Sequence, residues 1–391
     1  MKYKTYRFGD VTINYDNKRV PLSSAQREMR KGMYRYFGAQ GVIDYVDDYI
    51  YDGVYLLIAE DGENLKSKKQ NIAQLVVGQF WVNNHAHIVQ ANDLCDLKYL
   101  CYAFNNIDVS GYITGSAQPK LSQANLNSIQ LQLPSLEEQK NIASVLSSLD
   151  NKIELNNRIN KNLETQAQAI FKSWFVDFEP FQGGEFVDSE LGKIPKEWKI
   201  ATLSGVCSLI SRGITPKYTE KSDQIILNQK CIREHQVSLA PSRYHVPKKV
   251  NEKWLQYGDI LVNSTGQGTL GRTAQWYQEE LNITVDSHVT IVRPQEPNLI
   301  YYIGQFIMGK EYEIESMASG STGQTELSRE RLGALKVIIP PSRQLEDFSA
   351  IVEPFMKKIT INNLETIQLA KLRDTLLPKL MSGEIQIPQE V

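Results

Sequence analysis

The feature of this sequence that most constrains its fold is a repeat. Residues 120–175 and 326–381 align without a gap at an offset of 206. Leu121-Ser122 matches Leu327-Ser328, Leu126 matches Leu332, and Pro134 matches Pro340. Further on, Lys152-Ile153 matches Lys358-Ile359, Asn156-Asn157 matches Asn362-Asn363, and Leu163 matches Leu369. Solenoid repeats have periods of about 20–50 residues, so a period this long implies two fused copies of a whole domain with its helix. Two copies of one module suit two similar targets.

The repeated segment is helical. From Ile142 two rows recur every seven residues: Ile142, Leu149, Asn156, Leu163, Ile170 and Leu146, Ile153, Asn160, Ala167, Trp174. Their alternation by four and three is a heptad seam. The second copy gives Phe348, Phe355, Asn362, Leu369, Leu376 and Val352, Ile359, Thr366, Arg373, Leu380. Glu154, Arg158, Lys161 and Glu164 lie off the stripe, so each helix needs one partner, and the other copy is the nearest. Each helix is expected to run about 35 residues, on the order of 50 Å. Pro378 is expected to end the second helix, with Gly383 just beyond. Pro354, where the first copy has Ser148, predicts a kink or a fresh helical start. In an antiparallel pair the pseudo-twofold axis crosses near residue 158. Asn160 then faces Asn362 and Asn156 faces Thr366, a polar layer that fixes the register.

The remaining sequence of each copy is mixed and strand-rich. Tyr55-Leu56-Leu57-Ile58-Ala59 and Asp259-Ile260-Leu261-Val262-Asn263 read as buried strands. Val82–Val89 aligns with Val285–Val292 at offset 203, and Phe8-Gly9-Asp10-Val11 aligns weakly with Leu203-Ser204-Gly205-Val206 at offset 195. The offset drifts through the globular parts and not through the helix. Loops absorb insertions; a helix of fixed length does not.

The 391 residues hold two or three cores, and with a net charge of −2 any nucleic-acid site is a local concentration of basic residues or shares the work with a partner. No apolar run is long enough to span a bilayer, and Met1-Lys2-Tyr3-Lys4 leads into no signal-peptide core; it is the cysteine usage that leads us to expect a cytoplasmic protein. Cys95, Cys101, Cys207 and Cys231 show no metal or redox spacing and read as reduced structural thiols. Gly266-Gln267-Gly268-Thr269-Leu270-Gly271 fits GxGxxG, but no helical period follows, so it reads as a loop between strands and not a dinucleotide turn. His85 and His87 alternate onto one strand face; without a third ligand they read as structural and not as a metal site. No Asn-Pro-Pro-Tyr sequence marks a base-methylating pocket, and no acidic pair with Glu-x-Lys marks a nuclease. Neither a catalytic nor a cofactor-binding residue is assigned.

Several phrases in this order resemble the specificity subunit of type I DNA restriction–modification enzymes. They are Tyr36-Phe37-Gly38-Ala39-Gln40-Gly41-Val42-Ile43-Asp44-Tyr45 running into Leu56-Leu57-Ile58-Ala59-Glu60-Asp61-Gly62, and Gly320-Ser321-Thr322-Gly323-Gln324 before Leu327-Ser328 with its twin Gly115-Ser116-Ala117-Gln118. Asn156-Asn157-Arg158-Ile159-Asn160 leading to Phe171-Lys172-Ser173-Trp174-Phe175 resembles the central helical region of that family. Leu376-Leu377-Pro378-Lys379-Leu380-Met381-Ser382-Gly383 resembles its C-terminal one.

The resemblance implies an α/β (α+β) chain with two strand-rich target recognition domains, separated by an antiparallel two-helix coiled-coil spacer. The corresponding division is 1–135 and 179–341 for the recognition domains, 136–178 and 342–383 for the helices, and 384–391 for a tail. It implies that each domain reads half of a bipartite double-stranded DNA target. Two methyltransferase subunits are expected to dock on the chain, and restriction subunits to join the full complex, with no membrane involved. S-adenosylmethionine, ATP and Mg²⁺ would belong to those partners. The candidate DNA-binding residues are basic and amide side chains in turn-rich segments: Arg27, Arg30, Lys31, Arg35, Gln40, Lys66, Lys68 and Lys69 in the first domain. In the second they are Arg212, Lys217, Asn228, Gln229, Arg233, Arg243, Lys248, Lys249 and Arg272. Arg, Asn and Gln pair bidentately with base edges, while Lys more often meets phosphate. Tyr34, Tyr36, Tyr218 and Tyr244 are interleaved with them.

Overall fold

In the computed structural model, which describes residues 2–115, 118–279, 282–319 and 325–387, the first buried run forms the strand Tyr51–Ala59. Its side chains alternate between two cores, as the strand period requires. Leu56 and Ile58 pack with Phe8, Tyr99, Leu100 and Phe104, whereas Tyr55 and Leu57 pack with Phe37, Phe80 and Val82. The strand lies inside a six-stranded sheet, ordered Thr12–Asn14, Ala86–Ala91, Tyr51–Ala59, Ala73–Val82, Lys31–Gly38, Gly41–Val46. Together these elements belong to one compact unit, Met1–Glu154 with Thr366–Val391.

The second unit, Leu155–Glu365, repeats the plan. Its sheet runs Cys207–Arg212, Val289–Pro294, Ile260–Asn263, Thr273–Gln275, the order of the first four strands above. Ile260 and Val262 face Leu203, Tyr302 and Ile307, while Leu261 faces Trp276, Val289 and Ile291. The weakly matched starts are both one-turn helices, Phe8–Val11 and Leu203–Val206. Each unit also has the same antiparallel ribbon, Lys4–Arg7 with Gln130–Leu133 and Lys199–Thr202 with Lys336–Ile339.

The copies part where the alignment drifts. Lys31–Gly38 joins the first sheet, parallel to Ala73–Val82. In the second unit Gln224–Leu227 instead joins a separate four-stranded sheet with Tyr218–Thr219, Arg243–His245 and Ile283–Val285. One expectation needs correction here. Residues 82–89 and 285–292 are not single strands but the ends of two strands around a tight turn, with Asn84-His85 and Ser287-His288 at the bend. His85 is therefore exposed in a turn, while His87 is buried on Ala86–Ala91, and the two do not share a strand face.

The central helix spans Leu136–Phe175 and the C-terminal helix Ser342–Ser382, each longer than the seam implied. The first begins early because Ser135 and Glu138 form a reciprocal cap. Glu138 N–H donates to Ser135 Oγ at 3.3 Å and Ser135 N–H to Glu138 Oε2 at 3.1 Å. The expectation that Pro378 ends the helix fails: the C-terminal helix continues through both Pro354, where no fresh helix starts, and Pro378, and ends at Ser382, with Gly383 just beyond at φ +77°. Each proline frees one carbonyl four residues back, at Ala350 and Asp374. Both of those residues are exposed, on the side of the helix that water reaches, while buried Val352, Met356 and Leu380 hold the helix in place. In the first unit Ile142 and Leu146 of the central helix share a core with Leu380, and Arg373 Nη1 donates to Asp150 at 2.6 Å. In the second, Ala167 and Phe175 share a core with Phe348, Val352 and Ile359. Asn160 and Asn362 meet, as the antiparallel register requires. Asn362 Nδ2 donates to Asn160 Oδ1 at 2.8 Å, and Asn160 Nδ2 to Asn363 Oδ1 at 2.8 Å. Asn156 Nδ2 donates to Glu365 Oε2 at 2.8 Å.

Candidate nucleic-acid interface

Each unit builds the same corner where its central strand ends. After Tyr51–Ala59 the chain passes Glu60-Asp61-Gly62; after Ile260–Asn263 it passes Ser264-Thr265-Gly266. Glu60 N–H donates to His85 O at 2.9 Å, and Ser264 N–H to His288 O at 2.8 Å. Leu121 N–H donates to Glu60 O at 2.8 Å, and Leu327 N–H to Ser264 O at 2.9 Å. Isolated bridges join Asp61 to Lys120 and Thr265 to Glu326. Asx turns present the histidines: His85 N–H donates to Asn83 Oδ1 at 2.8 Å and His288 N–H to Asp286 Oδ1 at 2.9 Å. The ring nitrogen Nδ1 is anchored in both, to Asp61 Oδ2 at 2.7 Å and to Thr265 Oγ1 at 2.8 Å.

A glutamine completes each corner. Gly62 and Gly266 adopt φ of +108° and +102°, a region that strongly favours glycine. A β-carbon at Gly62 would lie 4.0 Å from Gln40 Nε2, and one at Gly266 would lie 2.5 Å from Gln229 Oε1. The second distance is a clash, so glycine at 266 is what lets Gln229 approach the loop. Gln40 lies in the turn after Lys31–Gly38 and Gln229 opens the 3-10 turn after Gln224–Leu227, the two strands that differ in sheet membership, yet both reach the equivalent glycine.

Buried charge stiffens the corner from behind. His87 lies between Asp16 Oδ2, 2.6 Å from Nδ1, and Leu121 O, 2.8 Å from Nε2. Arg19 Nη1 reaches Glu60 Oε2 at 2.6 Å, and Lys120 Nζ lies 3.1 Å from Glu60 Oε1. Burial alone would push the Asp16 and Glu60 carboxyls up. The His87 hydrogen bond and charge at Asp16, and Arg19, His87 and Lys120 at Glu60, hold both below their ordinary values instead. In the second unit the equivalent carbonyl, Leu327 O, accepts from Arg212 Nη2 at 2.7 Å, and Arg212 also pairs with Glu326. An imidazole in one copy and a guanidinium in the other hold the same backbone group.

The remaining candidates spread over several surfaces. In the first unit Arg27 donates to Asp44 at 3.0 Å and to Leu22 O at 2.8 Å, with its guanidinium over the Tyr36 ring. Lys31 pairs with Asp44 at 2.9 Å, and its ammonium is the main reason the Asp44 carboxyl falls to about 2. Arg30 pairs with Asp47 at 2.9 Å over Trp81, and Arg35 donates to Val77 O at 2.5 Å. Lys66 lies on the corner's flank, 3.4 Å from Gly115 O; Lys68 donates to Ile107 O at 2.9 Å, and Lys69 is exposed. In the second unit Asn228 caps the turn at Lys230 and donates to Pro241 O at 2.8 Å. Lys217, Arg233, Arg243, Lys248 and Lys249 are exposed, and Arg243 lies over Tyr218 at 4.7 Å. Arg272 is half-buried beside the glycine loop. Tyr218 and Tyr244 are exposed, whereas Tyr36 is fully buried and bonds Leu22, so it belongs to the core.

The glycine phrase 266–271 is a loop between the antiparallel strands Ile260–Asn263 and Thr273–Gln275 and opens no helix. Residues 320–324 and 116–117 of the paired phrases lie outside the described residues. All four cysteines are free, and burial pushes the Cys95, Cys101 and Cys207 thiols up to about 12. Among the described residues no three His, Cys, Asp or Glu side chains gather as a metal site, and no helix is long and apolar enough to cross a membrane.

Comparison with known proteins identifies the repeated unit. The type I restriction modification DNA specificity domain matches residues 1–165 and 195–371, once per copy. The chain is 31% identical over 313 residues to the type I restriction enzyme MjaIX specificity subunit of Methanocaldococcus jannaschii, covering 75% of this chain and 70% of that one. It is 27% identical over 378 residues to the specificity subunit S.HindORF215P of Haemophilus influenzae, covering 92% and 89%. Its fold is similar to that of the S subunit of a type I restriction-modification system from M. genitalium, with a TM-score of 0.67 at 16% identity over 100% of this chain and 97% of that one. The chain belongs to the type I restriction–modification DNA specificity family.

Proposed function

We propose that this chain is the sequence-reading subunit of a type I restriction–modification complex, each unit contacting one half of a bipartite duplex-DNA target. The observation that carries the reading is the corner built twice, with the same backbone hydrogen bonds but different side chains at Asp61 and Thr265, and at Lys120 and Glu326. A constant frame with altered chemistry suits two related sites that recognise different bases. Phosphate contacts orient such a protein and base contacts specify. The exposed cations Lys66, Lys69, Lys217, Arg233, Arg243, Lys248 and Lys249 serve the first role, and Gln40 and Gln229 the second. Arg27, Arg30, Lys31, Arg35 and Arg212, already engaged within the fold, shape the surfaces beside them.

The helices, 40 and 41 residues long, fix the gap between half-sites and carry two modification subunits; restriction subunits join through them in the cytoplasm. S-adenosylmethionine, ATP and Mg²⁺ act in those partners, and the isolated chain binds none of them. Long-read mapping of methylated bases in a host with and without this gene tests the reading. A two-part methylated motif with an unspecified gap should vanish on deletion. A motif that persists, or one without a gap, overturns the proposal. Stoichiometric S-adenosylmethionine binding by the pure chain in calorimetry would overturn its non-catalytic part.

A further inference from the structure

We infer that His85 and His288 are base-reading residues, one in each copy, at the same place in the two recognition units. The inference deepens the DNA-reading function proposed above and rests on it.

Four features recur at each histidine: its amide is held by the Asx residue two before it, its carbonyl by the first residue past the strand, its Nδ1 by the second, and the residue after that anchor is a positive-φ glycine faced by a glutamine. The hairpin does not need the ring. Asn83 or Asp286 with the backbone closes the turn, and the buried packing in the first copy falls to His87. Both histidines are exposed, with 47% of the His85 side chain open to solvent. Among the described residues neither Nε2 has a hydrogen-bond partner.

An exposed ring fixed at one nitrogen and open at the other is preorganised, so little entropy is lost when it binds. The two copies differ in what they offer. Asp61 only accepts, so a neutral His85 carries its hydrogen on Nδ1 and presents Nε2 as an acceptor, suited to the amino groups of adenine or cytosine in the major groove. The Thr265 hydroxyl lies 2.8 Å from His288 Nδ1 and 3.4 Å from Gln229 Oε1: with its hydrogen on Gln229 it accepts from Nδ1 and leaves Nε2 an acceptor, and with its hydrogen turned to Nδ1 it makes Nε2 a donor. One frame thus reads two different half-sites, with Gln40 or Gln229, at the glycine next to each anchor, as a second amide reader.

The test uses the complete system in its host. Methylated motifs are mapped for the wild type, His85→Ala and His288→Ala, with His85→Asn and His288→Asn as polar replacements should an alanine variant abolish methylation. Each substitution should make at least one base of one half degenerate and leave the other half intact, the two histidines affecting opposite halves. Asp61→Asn and Thr265→Val should relax the same half as the histidine they anchor. If every folded histidine variant methylates the wild-type motif unchanged, at full or reduced level, the residues do not read bases and the inference fails. A wild type with no gene-dependent two-part motif would instead defeat the function proposed above.

Discussion

The buried amides of the helix seam offer a measurable test of how register is encoded. Asn160 and Asn362 are 1% and 0% exposed and are joined by a direct amide hydrogen bond. Replacing Asn160 alone with leucine leaves the Asn362 amide without its acceptor, which costs about 1–3 kcal/mol. Burying the new leucine returns about 1.5–3 kcal/mol, so the single variant should lie close to the wild type. Asn362→Leu follows the same account. The double variant orphans neither of the two amides and gains both side chains, and should be about 1–4 kcal/mol more stable than the wild type. The cycle should therefore show a favourable coupling of about 1–4 kcal/mol. Thermal unfolding of the full chain reads it, since each kcal/mol moves the midpoint by about 2–4 °C for a unit of this size. Additive effects within about 0.5 kcal/mol would show that the amides do not act as a pair. The stabilised variant should also accept more than one gap length between half-sites, because a slipped apolar seam no longer strands a polar group.

Three further outcomes follow from the first unit and the helices. Asp16 and Glu60 have carboxyls held below their ordinary values, so the unfolded chain takes up protons first as pH falls; their contribution is complete above about pH 4 and lost below it. Melting between pH 7 and 3 should show that loss, and Asp16→Asn should flatten it; an unchanged slope in the variant refutes the network. Lys69→Ala should weaken binding of the assembled modification complex to all duplexes alike and reduce the salt slope by about 0.9, whereas a changed sequence preference would rule out a phosphate role. Removing one heptad from each helix should shorten the methylated gap and leave both halves intact, and a gap of unchanged length would mean the helices do not set it.

The helices were legible because their signal is periodic and repeated. Ile142, Leu146 and Ala167, with Phe348, Val352 and Ile359, are buried where the heptad places them. What misled was proline chemistry taken alone. A proline is costly inside a helix when its freed carbonyl has nowhere to turn, and Ala350 and Asp374 face solvent. Exposure is a tertiary property, and the sequence near Pro354 and Pro378 does not carry it. The early start at Leu136, by contrast, is written in Ser135-Leu136-Glu137-Glu138, which has the spacing of a capping box.

The corner was legible only in parts, for two different physical reasons. Asn83-Asn84 and Asp286-Ser287 are turn formers at matching positions, so the bend that exposes His85 and His288 has a local signal, one that outweighs the apolar alternation around it. The support behind it has none. Asp16 and His87 are 71 residues apart, and Arg212 and Leu327 are 115 apart. The repeat aligns Leu121 with Leu327, but nothing aligns the side chains that hold their carbonyls, His87 and Arg212, because each copy recruited its own from a different strand. Selection that keeps a backbone corner while changing the groups around it leaves an alignable trace at the glycines, the histidines and the Leu-Ser pair, and almost none in the charges. That is the pattern expected when the position of a reading surface is constrained and its chemistry is free to diverge. Under the DNA-reading function proposed above, the pair of copies points to the reading corner more directly than the list of basic residues does.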